Sequence, residues 1–530
     1  MRRATLIGSL KLWVLPAILL AGAPAAAPAD AAAPAVDYLA AARRFADCMI
    51  RWGRDRYGPE PSPLFAVLLV RGKEPHIGPQ PVFDAPAKYK WQKQITETPF
   101  RKFNYNRCLN YPPGLGAEGP HKVTLTGCDP YEDADLYAML FHLSRATGQP
   151  RYRDEAQKAL RWWFTHTQSP ATGLYPWGEH LGWDFEHECP TYFEGPSKHL
   201  YAACYHEIKD RVPFLDLLAS IPAAEPGGPT PLERYALGVW NAHYWDKTKA
   251  VYCRHGDYTG RDDRRGSLEG YPAHQGAHLR LWAAAYLVTD RAEVRREMAA
   301  ILNKVLDVQI ARARQYGFIP ATFKPDLQGA RPRRWPQSDR LGRHAAEVSV
   351  ALREAAPEIA AKVQTLARLL LGEEKVTAII DAEESAAGLR IRREGPTGGL
   401  ATLAWPGSAR RAAGSPDRRP AAEAVPPDRP DPAVADLAKA DAPNRHADAI
   451  LRHLDAYRAT GDEAYLRAAE TQARRAWVRF MDGTSPLPKA FDPPRATTAA
   501  GNPFPSFYFR GARLMHAFAR LGEALAETDR

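Results

Sequence analysis

One phrase occurs near both ends of this 530-residue chain, and it limits what the chain can fold into more than any other feature: Arg145-Ala-Thr-Gly148 and Arg458-Ala-Thr-Gly461. In both copies a tyrosine follows four residues after the glycine (Tyr152, Tyr465) and an alanine eight after it (Ala156, Ala469). Each phrase joins two stretches whose apolar residues recur at helical spacing, so each reads as a helix, a tight break and a second helix. A looser copy runs through HLRLWAAAYLVTDRAEVRREMAAILNKVLDVQ, from His278. Recurrence of one helical hairpin implies a repeat architecture, in which neighbours bury faces that no single hairpin can bury alone. The expected fold is all-α, an (α/α)6 or (α/α)7 toroid of hairpins with long loops at one mouth.

Further helices are expected over 38–52, ending at Gly53, and over 198–218, 231–245, 345–371 and 507–527. From Arg54 to about Pro130 the chain is expected to be extended or irregular, because Pro59, Pro61 and Pro63 cannot sit inside a helix. Between 385 and 444 the composition turns to Pro, Ala, Arg and Asp with few large apolar residues, which reads as a disordered insertion. The hairpin phrase returns after it. The expected organisation is therefore a main toroid over 37–384 and closing helices over 445–530.

Residues 1–30 carry Arg2 and Arg3, then an apolar run interrupted by Lys11 and Pro16, then small residues suited to cleavage. This reads as an export signal, with a secreted or periplasmic product that keeps no membrane anchor. Six cysteines are compatible with disulfides in an exported chain, and Cys108 with Cys128 is the expected pair. No CxxC pair is present, which argues against a thiol-based zinc or redox site. The formal charge of +10 favours a polyanionic partner. There is no Gly-rich phosphate loop, zinc-finger spacing or basic run interleaved with aromatics, so nucleic acid is not expected. Thirteen tryptophans instead offer flat apolar faces for sugar rings.

The densest chemistry lies in Trp240 to Tyr258, WNAHYWDKTKAVYCRHGDY, which opens like a helix and ends like a loop. Its Asn, His, Arg and Tyr side chains are types that can neutralise a sugar carboxylate and move a proton beside it. Asn241 and His243 are two apart and diverge by about 200° on a helix, so they share a site only at a helix end. Arg254 offers a fork for a carboxylate, and His255, Asp257 and Tyr258 follow it. EGYPAHQGAHLRLW then adds Tyr271, His274, Gln275 and His278; His274 and His278 stand at i,i+4, a pairing more often structural than functional. A second cluster, GLYPWGEHLGWDFEHE, places Trp177, Glu179, His180, Trp183, Asp184, Glu186 and His187 in a loop. Its spacing matches no metal signature, and no cofactor is expected.

His243, Tyr244 and Trp245 resemble the Asn-Asn-His-x-Tyr-Trp stretch of alginate lyases built on an (α/α) toroid, with Ala242 standing at the second Asn and no spacer after His243. The resemblance implies that Asn and His neutralise a uronate carboxylate and that a tyrosine carries the proton. The leading expectation is an exported polysaccharide lyase acting on an acidic glycan. His243, Arg254 and His180 are its expected carboxylate partners, and His255, Tyr258 and Tyr271 its proton carriers. Trp177, Trp183 and Trp245 would be ring platforms, with Glu179, Asp184, Asn241, Tyr244 and His274 as further substrate contacts. The alternatives are a glycoside hydrolase using two of Glu179, Asp184, Asp246 and Asp257, and a helical-repeat protein that binds glycan without turnover.

Overall fold

The computed structural model describes residues 36–57, 59–66, 68–73, 75, 83–85, 121–123, 127–128, 130, 133–170, 172–175, 181–185, 188–192, 214–252, 268–269, 272–320, 322–323, 337–385, 443–489, 507–509 and 511–528. Asp37–Arg530 forms one compact unit. The expected export signal, the core of the expected insertion (386–442) and Cys108 lie outside the described residues.

The repeated phrase makes the same turn twice. Helix α1 spans Tyr38–Trp52, α2 Ala134–Thr147 and α3 Pro150–His166. Near the other end, α11 spans Pro443–Thr460 and α12 Glu463–Phe480. Thr147 donates its hydroxyl to the Leu143 carbonyl (2.6 Å) and accepts from the Gln149 N–H (3.4 Å). Thr460 does the same with Ala456 (2.8 Å) and Asp462 (3.2 Å). The following glycine, Gly148 or Gly461, takes φ of 67° or 74°, a left-handed cap that other residues adopt at a cost. Pro150 then starts α3 and the Asp462 carboxylate caps α12.

Between them lie α4 (Phe214–Ala219), α5 (Pro231–His243), α6 (Pro272–Val288), α7 (Ala292–Tyr316), α8 (Gln337–Leu352), α9 (Pro357–Leu371) and α10 (Glu373–Ser385), and α13 (Ala512–Thr528) ends the chain. The helix expected over 345–371 is two helices, because the residue before Pro357 is pushed out of helical geometry. The helix expected to continue to Trp245 stops at His243 and passes into a strand.

Packing sorts these helices into inner and outer partners: α2 with α3, α4 with α5, α6 with α7, α8 with α9, α11 with α12, and α13 with α1. Among the described residues that is six pairs, one of which joins the two ends of the chain. Inner helices also pack on one another, α4 on α6, α6 on α8, α11 on α13 and α13 on α2. Tyr137 of α2 meets Phe214 of α4 edge-on at 6.3 Å. The fold is an (α/α) toroid. Its inner helices are covered on more than one side, which is why α6 is buried around most of its circumference while α12 buries a single stripe through Leu466, Ala469, Ala473, Ala476 and Phe480. Closure depends on close approach: a Cβ on Gly522 of α13 would stand 2.7 Å from the Leu39 nitrogen of α1.

Connections from inner to outer helices are short, as at 148–149, 289–291, 353–356 and 461–462, whereas those from outer to inner helices are long, as at 53–133, 167–213, 244–271, 317–336 and 481–511. The long connections therefore lie at the N-terminal ends of the inner helices, where their described residues form small antiparallel pairings. Strand β1 (Leu68–Val70) pairs with β11 (Phe507–Phe509), β2 (Phe83–Ala85) with β3 (His121–Val123), and β5 (Leu181–Asp184) with both β4 (Gly127–Cys128) and β6 (Cys189–Tyr192). At the same end β7 (Tyr244–Asp246) pairs with β8 (Val251–Tyr252), and β9 (Leu268–Glu269) with β10 (Thr322–Phe323).

The seam that joins the first hairpin to the last is polar. Arg513 of α13 reaches Asp135 of α2 (3.3 Å) and Asp448 of α11 (2.5 Å), and Arg520 reaches Asp455 (2.8 Å). Beside them His142 and His516 lie with ring centres 5.8 Å apart. Burial, reinforced by Arg520, Arg513 and Arg145, pushes the His516 imidazole down to about 3, and burial also holds His142 well below the ordinary range. His446, between α11 and α12, falls to about 4 through burial and the nearby Arg479. These folded-state values lie below the unfolded value of about 6.5. The unfolded chain therefore binds more protons between about pH 6.5 and pH 3, and stability present above that window is lost as pH falls through it. Unfolding free energies from urea titrations should be level above pH 7 and then drop, by up to about 1.4 kcal/mol per pH unit for each imidazole. A flat profile from pH 7 to pH 4.5 would contradict the seam as described.

Candidate functional site

Helix α5 begins with a capping box, in which Thr230 accepts from the Glu233 N–H and Glu233 accepts from the Thr230 N–H. It ends where Tyr244 leaves helical geometry, its N–H still bonded to the Trp240 carbonyl. The chain then folds into the β7–β8 hairpin, which sets Tyr244 opposite Tyr252. Across from the hairpin, α6 carries His274 and His278 one turn apart. The spacing of two cross-strand tyrosines fits that of two i,i+4 histidines. Tyr244 Oη stands 3.1 Å from His278 Nδ1, and Tyr252 Oη 2.9 Å from His274 Nδ1.

The two pairs are packed into one block. Tyr252 and His278 ring centres are 5.0 Å apart, and Tyr244 and Tyr252 5.8 Å. Trp282 closes the inner side, 5.2 Å from Tyr244 and 5.8 Å from His278, and donates its indole N–H to the Ala236 carbonyl (3.0 Å). Burial raises the Tyr244 phenol well above its ordinary value, with Arg312 acting in the opposite sense. A phenol that stays protonated donates to Nδ1, which leaves the proton of a neutral His278 on Nε2. Tyr244, Tyr252 and His278 are buried; His274 is half-buried and is the member of the block with surface to offer a ligand.

Besides His274, the residues expected from sequence are placed as follows. His243 and Tyr244 are at 0 % exposure, so they act on neighbours and do not touch a sugar; His243 lies 5.9 Å from the Tyr252 ring. Trp183 is also covered, packed edge-on against Trp162 at 5.8 Å, which leaves it no open face as a platform. Asn241 is exposed and accepts from Lys247 Nζ (2.7 Å), on the far side of α5 from His243 as helical spacing demands. Asp184 pairs with Gly127 and Cys189 in the backbone of the β4–β5–β6 sheet, and Trp245 lies in β7. Trp177, Glu179, His180, Arg254, His255, Tyr258 and Tyr271 lie outside the described residues.

What the sequence reading passed over is Tyr252, Trp282 and Arg312. The i,i+4 histidines were visible but ambiguous, and only the hairpin register shows that each faces a tyrosine. Asp246, a hydrolase candidate, accepts from the Lys249 N–H (2.9 Å), and this bond holds its carboxyl below the usual range. Among the described residues no group of three or more His, Cys, Asp or Glu side chains is placed to hold a metal ion.

Residues 133–276 match the family described as periplasmic pectate lyase. The match runs from the start of α2 into the first turn of α6 and contains Tyr244, Tyr252 and His274. Among solved structures, the cellobiose 2-epimerase of Bacillus thermoamylovorans is 12 % identical, with 76 % of this chain and 88 % of that chain covered and a TM-score of 0.33. The unsaturated glucuronyl hydrolase of a Bacillus species is 14 % identical, with 80 % and 92 % covered and a TM-score of 0.30. A family 76 glycoside hydrolase from a bovine Bacteroides thetaiotaomicron strain is 8 % identical, with 93 % and 78 % covered and a TM-score of 0.33. The packing makes the fold an (α/α) toroid, and over residues 133–276 the chain is similar to the periplasmic pectate lyase family.

Proposed function

We propose that the protein is an exported polysaccharide lyase that cleaves a uronic-acid-containing glycan by β-elimination. The observation that carries the reading is the pair of Tyr–His contacts at the mouth, with His274 at the accessible end. The periplasmic pectate lyase match over the same segment supports it. So does the sequence of residues 1–30, and among the described residues no helix is long and apolar enough to cross a membrane.

β-Elimination removes the C5 proton next to the uronate carboxylate, forms the C4–C5 double bond and breaks the bond from C4 to the glycosidic oxygen, which takes a proton. A phenol oxygen that accepts from Nδ1–H leaves the Nε2 lone pair of His274 to take the C5 proton. The resulting imidazolium keeps its bond to Tyr252 and can return the proton to the departing oxygen. Arg254, two residues beyond Tyr252, is the proposed partner of the C5 carboxylate, whose neutralisation makes that proton removable. His180 is a second proposed partner, with His255, Tyr258 and Tyr271 as alternative proton carriers. In the alternative reading, a carboxylate-pair hydrolase, Asp246 is held ionised and would serve as the nucleophile or base, with the acid drawn from Glu179, Asp184 or Asp257.

The test is to incubate the purified protein with a panel of uronate polymers and follow ultraviolet absorbance and reducing ends together. Absorbance that rises in step with reducing ends is expected; reducing ends without absorbance would replace the lyase by a hydrolase. On a polymer that is cleaved, Tyr252→Phe should lower kcat by about 10- to 100-fold, because the imidazolium loses a hydrogen-bond partner. An unchanged kcat in that variant would remove Tyr252 from the mechanism.

A further inference from the structure

The tyrosines reach their histidines only if the β7–β8 hairpin is held in place, and its turn is a poor spring. Ala250, just before β8, sits at φ 45°, in the left-handed region that costs a non-glycine residue of the order of 1 kcal/mol. The bulge between Tyr244 and Asp246 breaks the ladder on the opposite strand. Left to itself such a turn would relax, and Tyr252 would move with it.

The residue before Ala250 is held at both backbone groups. The Lys249 N–H donates to the Asp246 carboxylate (2.9 Å) and the Lys249 carbonyl accepts from Nη2 of Arg312 (2.9 Å). Arg312 comes from the last turns of α7, the outer partner of α6, so it ties the hairpin to the same helical pair that carries His274 and His278. Arg312 is 9 % exposed, and burial draws its guanidinium down to about 10 while Tyr244, Tyr316 and Asp246 act to keep it charged. Burying a guanidinium opposes folding unless its donors are used. We infer that Arg312 is the positioning residue of the site: by clamping the Lys249 carbonyl it fixes the strained turn and so sets Tyr252 against His274 and Tyr244 against His278. Arg312 does not contact the reacting sugar. This rests on the reading of the Tyr–His block as the catalytic site.

The inference is tested on the full chain with Arg312→Ala and Arg312→Lys. Kinetics are measured on whichever product the wild type releases, so failure of the lyase reading and failure of this one stay separate. The expected result is a fall in kcat of about 100-fold for Arg312→Ala with KM changed less than about threefold, as for a misplacement near 1 Å. Millimolar guanidinium, the planar cation that the substitution removes, should restore about tenfold of that loss, and methylammonium should not. Hydrogen exchange supplies a readout independent of turnover: amides of β7 and β8 should exchange at least about tenfold faster in Arg312→Ala while those of α11 and α12 stay unchanged. Should Arg312→Ala fail to fold, Arg312→Lys, which keeps the charge and loses the planar fork, should show the same pattern at smaller amplitude. The inference is overturned if hairpin exchange is unaltered in a folded variant. It is equally overturned if kcat stays within threefold of wild type, or if a loss of kcat does not respond to guanidinium.

Discussion

His274→Gln should lower kcat on a uronate polymer by about 10²- to 10⁴-fold, the range that a positioned acid–base group contributes. The glutamine amide can still bond Tyr252 Oη, so the hairpin keeps its contact, but it is not a base and cannot take up the C5 proton. Because His274 is half-buried and its helix is held by Leu279, Trp282 and Ala283 behind it, the melting temperature should move by only a few degrees. Full activity in a folded His274→Gln variant would move the proton chemistry elsewhere, to the residues around Arg254 and Tyr258. Steady-state kinetics with a thermal melt of the same preparation decides between these outcomes.

Trp282→Ala should destabilise the protein by about 3–5 kcal/mol, the usual cost of deleting a fully buried large side chain. Trp282 is at 0 % exposure and touches Trp240, Tyr244 and His278, so its loss opens a void directly behind the Tyr–His block. It also leaves the Ala236 carbonyl without the indole donor. Activity should fall along with stability, because Tyr244 and His278 lose the wall that fixes their ring planes. A denaturant midpoint unchanged by this substitution would mean that α5 and α6 do not pack as described.

The toroid was legible because its signal is local and repeated. Thr147-Gly148 and Thr460-Gly461 each write a complete turn in two residues, a hydroxyl that folds back on the helix and a left-handed cap, and such chemistry reads the same in sequence as in space. The break before Pro357 was missed because the apolar rhythm continues across it, although the proline itself marks the boundary. The site was legible only in part. The stretch from Trp240 was singled out for its density of chemistry, but density does not say which side chains are covered: helical phase sends Asn241 outward and the end of α5 turns His243 and Tyr244 inward. Tyr252, His278 and Arg312 come from a strand and two helices. Their meeting depends on the hairpin register and the α6–α7 packing, neither of which any short stretch of sequence carries.

The account turns on elimination at a mouth that holds a proton on a tyrosine-bound imidazole. Cleavage of a uronate polymer in heavy-oxygen water, with the products weighed by mass spectrometry, tests this most directly. The account predicts new ends that carry no solvent oxygen, one of each pair unsaturated and lighter by a water than the corresponding hydrolysis product. Solvent oxygen incorporated once per cleavage would contradict it.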